Sequence, residues 1–315
     1  MIPIKENVNL SEYSTFKIGG PAKFLAEVKN LVELRETLEF VHEKNLDFFI
    51  LGGGSNILFS DEGFDGLLIK IQDIEYKIED NKLECGAGLP LAQAVNFAKK
   101  NGLTGLEWAV GIPGTIGGAV RGNAGAFGGS MGEIVESASI MEIKKLADIE
   151  EKPEIFNQEK CQFAYRDSLF KHNPHFIILS IVLKLKKENP QLVENKMNEI
   201  ARQRAERKPE GIGSAGSFFK NPFVKDQNLI KEFETEKNIK CLDGKIPAGW
   251  LIENAGFKGR KIGGAMVSEN NANYIVNMGK ATAHDVIMLA SLIKQKVRNT
   301  FKIELQEEVQ YLGFD

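Results

Sequence analysis

GIPGTIGGAVRGNAGAFGGSMG, the stretch from Gly111 to Gly132, is the part of the sequence on which the fold depends. Nine of its 22 residues are glycine, and a glycine inside a helix or strand costs about 0.5–1 kcal/mol relative to alanine. Apolar residues stand between the glycines, which is atypical of a flexible linker. The stretch therefore predicts an ordered loop whose backbone N–H groups face a ligand, with phosphate favoured. The alternative is a set of turns that binds nothing.

A second glycine loop lies upstream, in the segment FFILGGGSNILFS. Residues 48–51 predict a buried strand, and residues 52–56 predict a tight turn at its carboxyl end, an arrangement that often holds nucleotide phosphates. The turn lacks Gly-Lys-Ser/Thr, which excludes a Walker A loop. It also lacks G-x-G-x-x-G, as do residues 86–91, so a Rossmann site is excluded as well.

Bulk composition narrows the class of protein. With 315 residues, 43% of them hydrophobic, and a net charge of −3, the chain is expected to form two or three domains without a basic field for nucleic acid. It has no membrane-spanning apolar run and no signal-peptide core. The three cysteines are far apart, so neither a zinc site nor a disulfide framework is predicted. His172 and His175 predict a polar loop, with a metal site as the less favoured alternative. These features predict a reducing, cytoplasmic enzyme.

Hydrophobic periodicity predicts a mixture of strands and helices. Strands are expected at 22–28, 48–51, two places within 66–85, ESASIMEIKK, FIILSIVLKLKK and KIELQEEVQYLG, and helices at 30–45, 90–100, 191–207 and 284–300. A domain boundary is expected at Lys208-Pro209. In the last strand, the two-residue period places Glu307 on the face of Leu305 and Val309, and Glu308 on the opposite face. If the apolar face packs inward, Glu308 is the glutamate that can line a cleft.

Eight motifs, in order along almost the whole chain, resemble those of the UDP-N-acetylenolpyruvoylglucosamine reductase family, flavoenzymes of peptidoglycan precursor synthesis. They are STFKIGGPA, LGGGSNIL, GIPGTIGGAVRGNAGAFGG, AYRDSLFK, SAGSFFKNP, AGWLIENAGFKG, ANYIVN and ELQEEVQYLG. Each motif alone is moderately specific, whereas the ordered set is highly specific.

The resemblance implies an α+β protein with the FAD-binding fold of the vanillyl-alcohol-oxidase (PCMH) type in two subdomains, plus a smaller α+β substrate-binding domain. We expect FAD-binding subdomain 1 at residues 1–72, FAD-binding subdomain 2 at 73–206 joined by the C-terminal strand 302–315, and the substrate-binding domain at 207–301.

By resemblance, the two glycine loops hold FAD through its pyrophosphate and ribityl chain. The residues expected to contact FAD are Gly52, Gly53, Gly54, Ser55, Asn56, Gly111, Ile112, Pro113, Gly114, Thr115, Gly117, Gly118, Asn123 and Gly125. Neither glycine stretch contains a histidine, so we expect FAD to be bound without a covalent link.

The implied reaction reduces an enolpyruvyl ether to a lactyl ether, with NADPH as the hydride donor and FAD as the carrier. By resemblance, Ser217 donates the proton to the enolate carbon, Arg166 binds the substrate carboxylate, and Glu308 stabilises the enolate or helps to deliver the proton. Each residue has an ordinary alternative. Ser217 would be a turn serine bonded to its own backbone, Arg166 would pair with Asp167 or another carboxylate, and Glu308 would be a solvated strand residue.

Lys220 and Asn221 are expected to contact substrate, and either Arg207 or Lys208 a phosphate; the alternative for the last two is a basic helix end. Asn271 stands where the family commonly has histidine. No insertion follows the YRDS segment where a longer subclass carries a tyrosine-bearing loop, so the chain resembles the shorter subclass and must hold the UDP end differently. We expect the UDP-sugar enolpyruvate and NADPH as partners, a monomer, no metal, no nucleic acid and no membrane insertion.

Two other functions stay open: an FAD-linked oxidase of the same fold, and a non-catalytic protein that binds flavin or a sugar nucleotide. The motifs SAGSFFKNP and ELQEEV argue against the oxidase, and Asn271 is a weak hint of the non-catalytic protein. NADPH should bleach a reductase without oxygen, and the enolpyruvyl UDP-sugar should restore its colour.

Overall fold

The computed structural model describes residues 2–143, 152–207, 209–241 and 243–314. They form two compact units, each built from non-contiguous segments. The first unit comprises Met1–Val8, Ala22–Gly54 and Asp65–Glu206. The second comprises Asn9–Pro21, Ser55–Phe64 and Arg207–Asp315.

The described residues contain α-helices, short 3₁₀ turns and strands. The helices are α1 (Leu31–Lys44), α2 (Leu91–Lys100), α3 (Ile116–Arg121), α4 (Met131–Ile134), α5 (Leu169–His172), α6 (Pro190–Glu206), α7 (Gln227–Lys237), α8 (Ala248–Asn254) and α9 (Ala283–Phe301), with 3₁₀ turns at Leu10–Tyr13 and Glu107–Ala109. The strands are β1 (Ile4–Asn9), β2 (Pro21–Val28), β3 (Phe48–Leu51), β4 (Ile57–Phe59), β5 (Phe64–Ile71), β6 (Tyr76–Glu79), β7 (Lys82–Gly86), β8 (Leu103–Thr104), β9 (Gly125–Ala126), β10 (Gly129–Ser130), β11 (Val135–Glu142), β12 (Glu154–Asn157), β13 (Phe176–Lys184), β14 (Lys186–Lys187), β15 (Gly213–Ser214), β16 (Lys261–Ile262), β17 (Ala265–Val267), β18 (Ile275–Asn277) and β19 (Gln310–Leu312).

The first unit is built on two sheets. One has the order β1-β2-β5-β3, and its β3–β5 pair is parallel. Helix α1 begins after Asn30, whose side chain accepts the Glu33 N–H at 2.9 Å, and it buries Leu34 and Leu38. The other sheet has the order β12-β11-β13-β7-β6 with antiparallel pairs, and the nearly continuous apolar run of β13 lies at its centre. In the first of these sheets, strand β3 ends at Leu51, directly before the first glycine loop.

The second unit contains the four-stranded sheet β15-β18-β17-β16 and a separate parallel pair, β19 with β4. Helix α9 begins with a capping box in which Thr282 and Asp285 bind each other's backbone N–H groups. Its buried residues Val286 and Ile293 belong to the same apolar core as Trp250 of α8. This core also contains Phe218 and Phe219, and it therefore supports the segment that carries Ser217.

The α+β class and the predicted helices at 30–45, 90–100, 191–207 and 284–300 are confirmed. Helices α7 and α8 were not predicted, because their apolar residues are few and glycine turns flank α8. The prediction of a continuous strand through KIELQEEVQYLG is wrong, since only Gln310–Leu312 forms a strand. Upstream of it, Glu307 makes a single antiparallel bridge with Phe219.

The division into units places a boundary between Glu206 and Arg207, close to the one expected from the sequence. It assigns residues 302–314 to the second unit, whereas the resemblance implied that they join FAD-binding subdomain 2. The physical reason is hydrogen bonding, because β19 pairs with β4 and the Glu308 N–H donates to the Phe218 carbonyl oxygen, all within the second unit. Among the described helices, none is both long and apolar enough to cross a membrane.

Candidate active site

The two glycine loops of the first unit touch backbone to backbone. A Cβ atom added to Gly53 would lie 2.6 Å from the Gly114 Cα, and one added to Gly52 would lie 2.8 Å from the Thr115 Oγ1. Real Cβ atoms do not approach backbone this closely, so the contact requires glycine at position 53. The structure thus brings together two glycine loops that are some sixty residues apart, as counted along the chain.

The backbone donors of helix α3 are already used inside the protein. The Ile116 N–H donates to the Leu89 oxygen and the Gly117 N–H to the Ala87 oxygen, each at 2.9 Å. The Gly118 N–H reaches the Thr115 Oγ1 at 3.3 Å. This helix start therefore keeps little capacity for an anion.

Other backbone donors stand at the contact of the two loops. Within the described residues, the N–H groups of Gly53, Gly114 and Thr115 make no hydrogen bond to protein. Several backbone N–H groups that converge without protein acceptors form the kind of nest that binds phosphate oxygens. The loop contact, rather than the start of α3, is the part of the first unit that suits a pyrophosphate.

Asn123 holds the long glycine loop to a neighbouring turn. This buried residue donates from its Nδ2 to the Ala164 oxygen at 2.7 Å and accepts the Gly132 N–H on its Oδ1 at 2.8 Å. Both ends of its amide are therefore used within the protein. Its expected contact with FAD stays a prediction, while its structural role was not foreseen from the sequence.

Arg166 lies on the turn that Asn123 supports. Residues Ala164 and Asp167 exchange backbone hydrogen bonds of 3.0 and 3.1 Å, and Arg166 has a φ of 55° at the third position of this tight turn. Such positions favour glycine or asparagine, so the arginine is held in a strained backbone conformation. Its Nη2 donates to the Gly125 oxygen of the glycine loop at 2.5 Å. The Arg166 side chain therefore contacts Gly125, one of the residues expected to bind FAD.

Ser217 and Glu308 lie on adjacent segments of the second unit. The Glu308 N–H donates to the Phe218 oxygen at 2.8 Å, and the Lys220 N–H donates to the Gln306 oxygen at 2.9 Å. These bonds flank the bridge between Phe219 and Glu307 and place residues 217–220 beside residues 306–309. Two predicted catalytic residues, more than ninety positions apart by count in the sequence, are thus neighbours.

The surroundings of Ser217 suit a residue that acts on a ligand. In the described part of the chain its hydroxyl makes no hydrogen bond, which argues against the turn-serine alternative. Gly216 precedes it with a φ of 78°, and no atom lies within 4 Å of the place where a Gly216 Cβ would stand. The side chain is half-buried, so it is presented at a surface without crowding.

The predicted faces of the last segment are confirmed at its centre. Leu305 and Val309 are buried, with 2% and 4% of their surface exposed, and Glu307 forms an ion pair with Lys294 at 2.8 Å. Glu308 is half-buried, as is Glu307. Tyr311 departs from the pattern, since 39% of its surface is exposed.

Asn56 of the GGGSN motif supports Glu308 from the other side. The Asn56 Nδ2 donates to the backbone oxygen of Glu308 at 3.1 Å, and the backbone oxygen of Asn56 accepts the Gln310 N–H at 3.1 Å. Asn56 and its neighbour Ser55 belong to the second unit, whereas Gly52–Gly54 belong to the first. The expected contacts of Ser55 and Asn56 with FAD stay predictions.

The predicted substrate residues occupy different settings. Asn221 accepts the Ala248 N–H on its Oδ1 at 3.0 Å, at the first residue of α8, where Pro247 has no capping side chain. Within the described residues, the Lys220 ammonium and the exposed Arg207 guanidinium have no partner. Lys208 lies outside the described residues.

The surroundings of the buried cysteines and of His172 do not indicate a ligand-binding role. Burial raises the pKa of the Cys85 thiol to about 12 and the pKa of the Cys161 thiol to about 11. His172 Nε2 lies 2.8 Å from the Asp167 Oδ2 on the surface. In the described ranges, no group of three or more histidine, cysteine or acidic residues could hold a metal ion.

A further residue of this region was missed from the sequence. The carboxamide of Asn273 binds both backbone groups of Phe219, two residues beyond Ser217. The signal that points to it is the polar turn SENNANYIVN, in which several asparagines stand directly before a buried strand. Asparagines at such a place commonly bind nearby backbone groups rather than water.

Two family models match the chain. The model described as FAD binding domain matches residues 22–143, and the model described as UDP-N-acetylenolpyruvoylglucosamine reductase, C-terminal domain matches residues 207–312. The two matches cover the glycine loops and the segments that carry Ser217 and Glu308, respectively.

Similarity to curated proteins and to a solved structure extends over nearly the whole chain. A UDP-N-acetylenolpyruvoylglucosamine reductase of Solibacter usitatus is 35% identical over 312 residues, which cover 99% of this chain and 97% of the relative. One of Anoxybacillus flavithermus is 36% identical, with 98% and 94% covered. The crystal structure of the Thermus caldophilus enzyme superimposes with a TM-score of 0.78 at 31% identity, with 99% of this chain and 100% of that chain covered.

Proposed function

Because this chain belongs to the UDP-N-acetylenolpyruvoylglucosamine reductase family, we propose that it reduces UDP-N-acetylglucosamine enolpyruvate to UDP-N-acetylmuramate with NADPH as hydride donor. The family and its FAD-binding domain make the chain an FAD-dependent oxidoreductase of peptidoglycan synthesis. The observation that carries the finer proposal is the hydrogen bond from the Glu308 N–H to the Phe218 oxygen, which sets Ser217 beside Glu308.

The glycine loops of the first unit fit FAD. Gly53 leaves no room for a side chain against the Gly114 backbone, and the N–H groups at this contact can receive a pyrophosphate. When bound between these loops, FAD would supply the redox chemistry, namely hydride transfer between NADPH and the substrate. The chain itself has to orient the substrate, neutralise the charge that develops and supply one proton.

Arg166 is proposed to bind the substrate carboxylate. Arginine in a left-handed conformation costs about 1–2 kcal/mol, and this chain keeps it at a turn position where glycine would fit better. A guanidinium carries five N–H donors in a planar fork, which suits it to hold a loop carbonyl and a carboxylate together. When the hydride arrives, negative charge spreads into that carboxylate, and Arg166 stabilises it.

Ser217 is proposed to complete the reaction. The hydride converts the methylene carbon to a methyl group, and the electron pair of the double bond moves to the neighbouring carbon. That carbon takes the proton of the Ser217 hydroxyl, and the serine oxygen recovers a proton from water. Glu308 is assigned to stabilising the enolate or to the delivery of this proton. One hydride and one proton are consumed, which balances the reduction.

The remaining assignments concern the substrate and the assembly. Lys220 and Asn221 are proposed to contact the UDP-sugar, and Arg207 or Lys208 one of its phosphates. We propose that the first unit carries the FAD-binding subdomains and that the second unit, which includes residues 302–314, is the substrate-binding domain. We also propose a cytoplasmic monomer with dissociable FAD. Light scattering on a sizing column tests the monomer, and release of FAD by acid precipitation tests the dissociable link.

The experiment that tests the function separates the two half-reactions. The purified protein is mixed with NADPH without oxygen, and the loss of flavin absorbance is recorded. The enolpyruvyl UDP-sugar is then added, and the return of absorbance is timed. We expect Ser217→Ala to leave the NADPH step unchanged and to slow the return by about 10²–10⁴-fold, the usual contribution of a general acid.

Ser214→Ala is the matched control. Ser214 lies three positions upstream on the same glycine-serine turn, and the described contacts use only its backbone. We expect it to leave both steps unchanged. A wild-type flavin that returns its absorbance with oxygen but not with the UDP-sugar would favour an oxidase. Equal slowing of both steps in Ser217→Ala would contradict the proton-donor role.

A further inference from the structure

We propose that Asn273 is a positioning residue of the reductase, which holds the backbone that aims Ser217; this inference rests on the proposed role of Ser217. Asn273 is 6% exposed. Its Oδ1 accepts the Phe219 N–H at 3.1 Å, and its Nδ2 donates to the Phe219 oxygen at 2.9 Å. Its backbone oxygen accepts the Phe218 N–H at 2.7 Å.

A carboxamide that binds both the N–H and the oxygen of one residue imitates the partner strand of a sheet. It satisfies a donor and an acceptor that would otherwise be buried without partners, because Phe218 and Phe219 are each 1% exposed. No other uncharged side chain except that of glutamine offers a donor and an acceptor in this geometry. The residue type at position 273 is therefore demanded by the backbone of the Ser217 segment.

Hydrogen bonds hold the chain on the downstream side of Ser217. Upstream, Gly216 has a φ of 78° with no atom within 4 Å of its Cβ position, and Ala215 before it is buried. Downstream, Phe218 is held through its N–H by Asn273 and through its oxygen by the Glu308 N–H. Asn273 thus acts on the same peptide that joins Ser217 to Glu308, and its loss should disturb both residues.

Asn273 is itself held by a polar turn. Its N–H donates to the Asn271 Oδ1 at 3.1 Å, and the Asn271 N–H donates to the Ser268 Oγ at 3.2 Å. The Ser268 hydroxyl donates to the Glu210 Oε2 at 2.7 Å. The chain of contacts runs from Glu210 to the backbone N–H of Asn273 and fixes the backbone from which the carboxamide extends.

The test compares Asn273→Ala with Asn277→Ala in the FAD-loaded enzyme. Asn277 is equally buried, and its carboxamide binds the oxygens of Phe16 and Lys17 and the N–H groups of Gly279 and Ala281. Among the described bonds, the Asn277 side chain makes none to residues 216–221. The control therefore matches residue type and burial.

We expect Asn273→Ala to slow the return of flavin absorbance with the UDP-sugar by about 10- to 100-fold, the size expected when a reacting group is misplaced by about 1 Å. The NADPH step should keep its wild-type rate, and the loss should fall on kcat more than on KM. Hydrogen exchange should accelerate in the peptide 216–221. Asn277→Ala should leave the ratio of the two half-reactions as in the wild type and accelerate exchange at 279–281.

Asn273→Asp, which keeps the acceptor but not the donor, provides the same comparison if the alanine variant does not fold. A wild-type rate of return in a variant whose 216–221 peptide exchanges faster would overturn the proposal. Slowing of both half-reactions to the same extent would also overturn it. If Ser217→Ala keeps the wild-type rate of return, the proposed role of Ser217 as proton donor fails instead, whatever the Asn273 variants do.

Discussion

The glycine loops of the first unit and the Ser217 segment of the second are held by opposite means. Gly53 meets the Gly114 backbone because Gly53 has no side chain, with 2.6 Å between a hypothetical Gly53 Cβ and the Gly114 Cα. The Ser217 segment is held because Asn273 does have one, which binds both backbone groups of Phe219. The first region depends on the absence of a side chain, and the second depends on the presence of one carboxamide.

The difference teaches which kind of site a sequence reveals. Glycine content can be read directly from the sequence, and nine glycines in 22 residues stand out without any structure. The contacts of Asn273 join residues 54 positions apart, and a single asparagine in a polar turn does not announce them. Three predictions test whether the two regions respond to mutation as differently as their contacts imply.

The largest effect is expected from a single methyl group in the glycine loops. Gly53→Ala places a Cβ against the Gly114 backbone, which cannot move aside as a flexible side chain could. We expect the purified variant to retain little or no FAD, measured as the ratio of flavin to protein absorbance.

Gly122→Ala is the matched control in the long glycine loop. Its added Cβ would meet only the Gly118 oxygen at 3.6 Å, an ordinary contact, and we expect normal flavin content. A fully loaded Gly53→Ala enzyme would show that the loops yield, and the contrast between the two regions would then disappear.

An intermediate effect is expected from pH at the polar turn below Asn273. Burial raises the pKa of Glu210. Hydrogen bonds from the Glu269 N–H and the Ser268 hydroxyl lower this pKa by more than burial raises it, so the pKa lies below its ordinary value of 4.5. A carboxyl group with a lowered pKa contributes stability above its unfolded pKa, and this contribution is lost as the pH falls through its folded pKa.

Glu210→Gln should therefore be less stable than the wild type at pH 7, with a difference that shrinks as the pH falls below 4.5. Urea unfolding midpoints at a series of pH values measure it. Glu232→Gln, at an exposed position of α7, is the control and should run parallel to the wild type. A Glu210→Gln difference that stays constant with pH would contradict the link between this carboxylate and the turn.

The smallest effect is expected at Asn271, where the family commonly has histidine. The Asn271 Oδ1 accepts the Asn273 N–H at 3.1 Å, and a neutral imidazole nitrogen can accept the same bond. Asn271→His should therefore keep the rate of flavin return, whereas Asn271→Ala should lower it by a few-fold. If the histidine variant falls as far as the alanine variant, the accepted bond is not what position 271 supplies.

Elements with a strong period could be predicted from the sequence, and those with a weak one could not. Helix α9 and strand β13 repeat their apolar residues over many positions, and both were expected. Helices α7 and α8 are short, and their buried residues pack into the apolar core of the second unit. The last segment alternates like a strand, yet only Gln310–Leu312 forms one, and upstream of it the pairing is limited to a single bridge between Glu307 and Phe219.

The candidate site divides in the same way. Ser217, Arg166 and Glu308 were expected from motif resemblance, and the structure sets Ser217 beside Glu308. The asparagines at 56, 123 and 273 were either assigned to the cofactor or missed, although each binds backbone groups far along the chain. An amide side chain can bind a ligand or the protein itself, and only the folded chain shows which acceptors lie within reach.

The sequence by itself determined the α+β class, the family, the two glycine loops and the exclusion of the Walker A and Rossmann loops. These features follow from local composition, because a glycine-rich loop or an apolar period is a property of neighbouring residues. The tertiary structure alone decided that Gly53 meets Gly114 and that Ser217 lies beside Glu308 on a backbone held by Asn273. Such contacts depend on hydrogen bonds and excluded volume between residues distant in sequence, which no local pattern encodes.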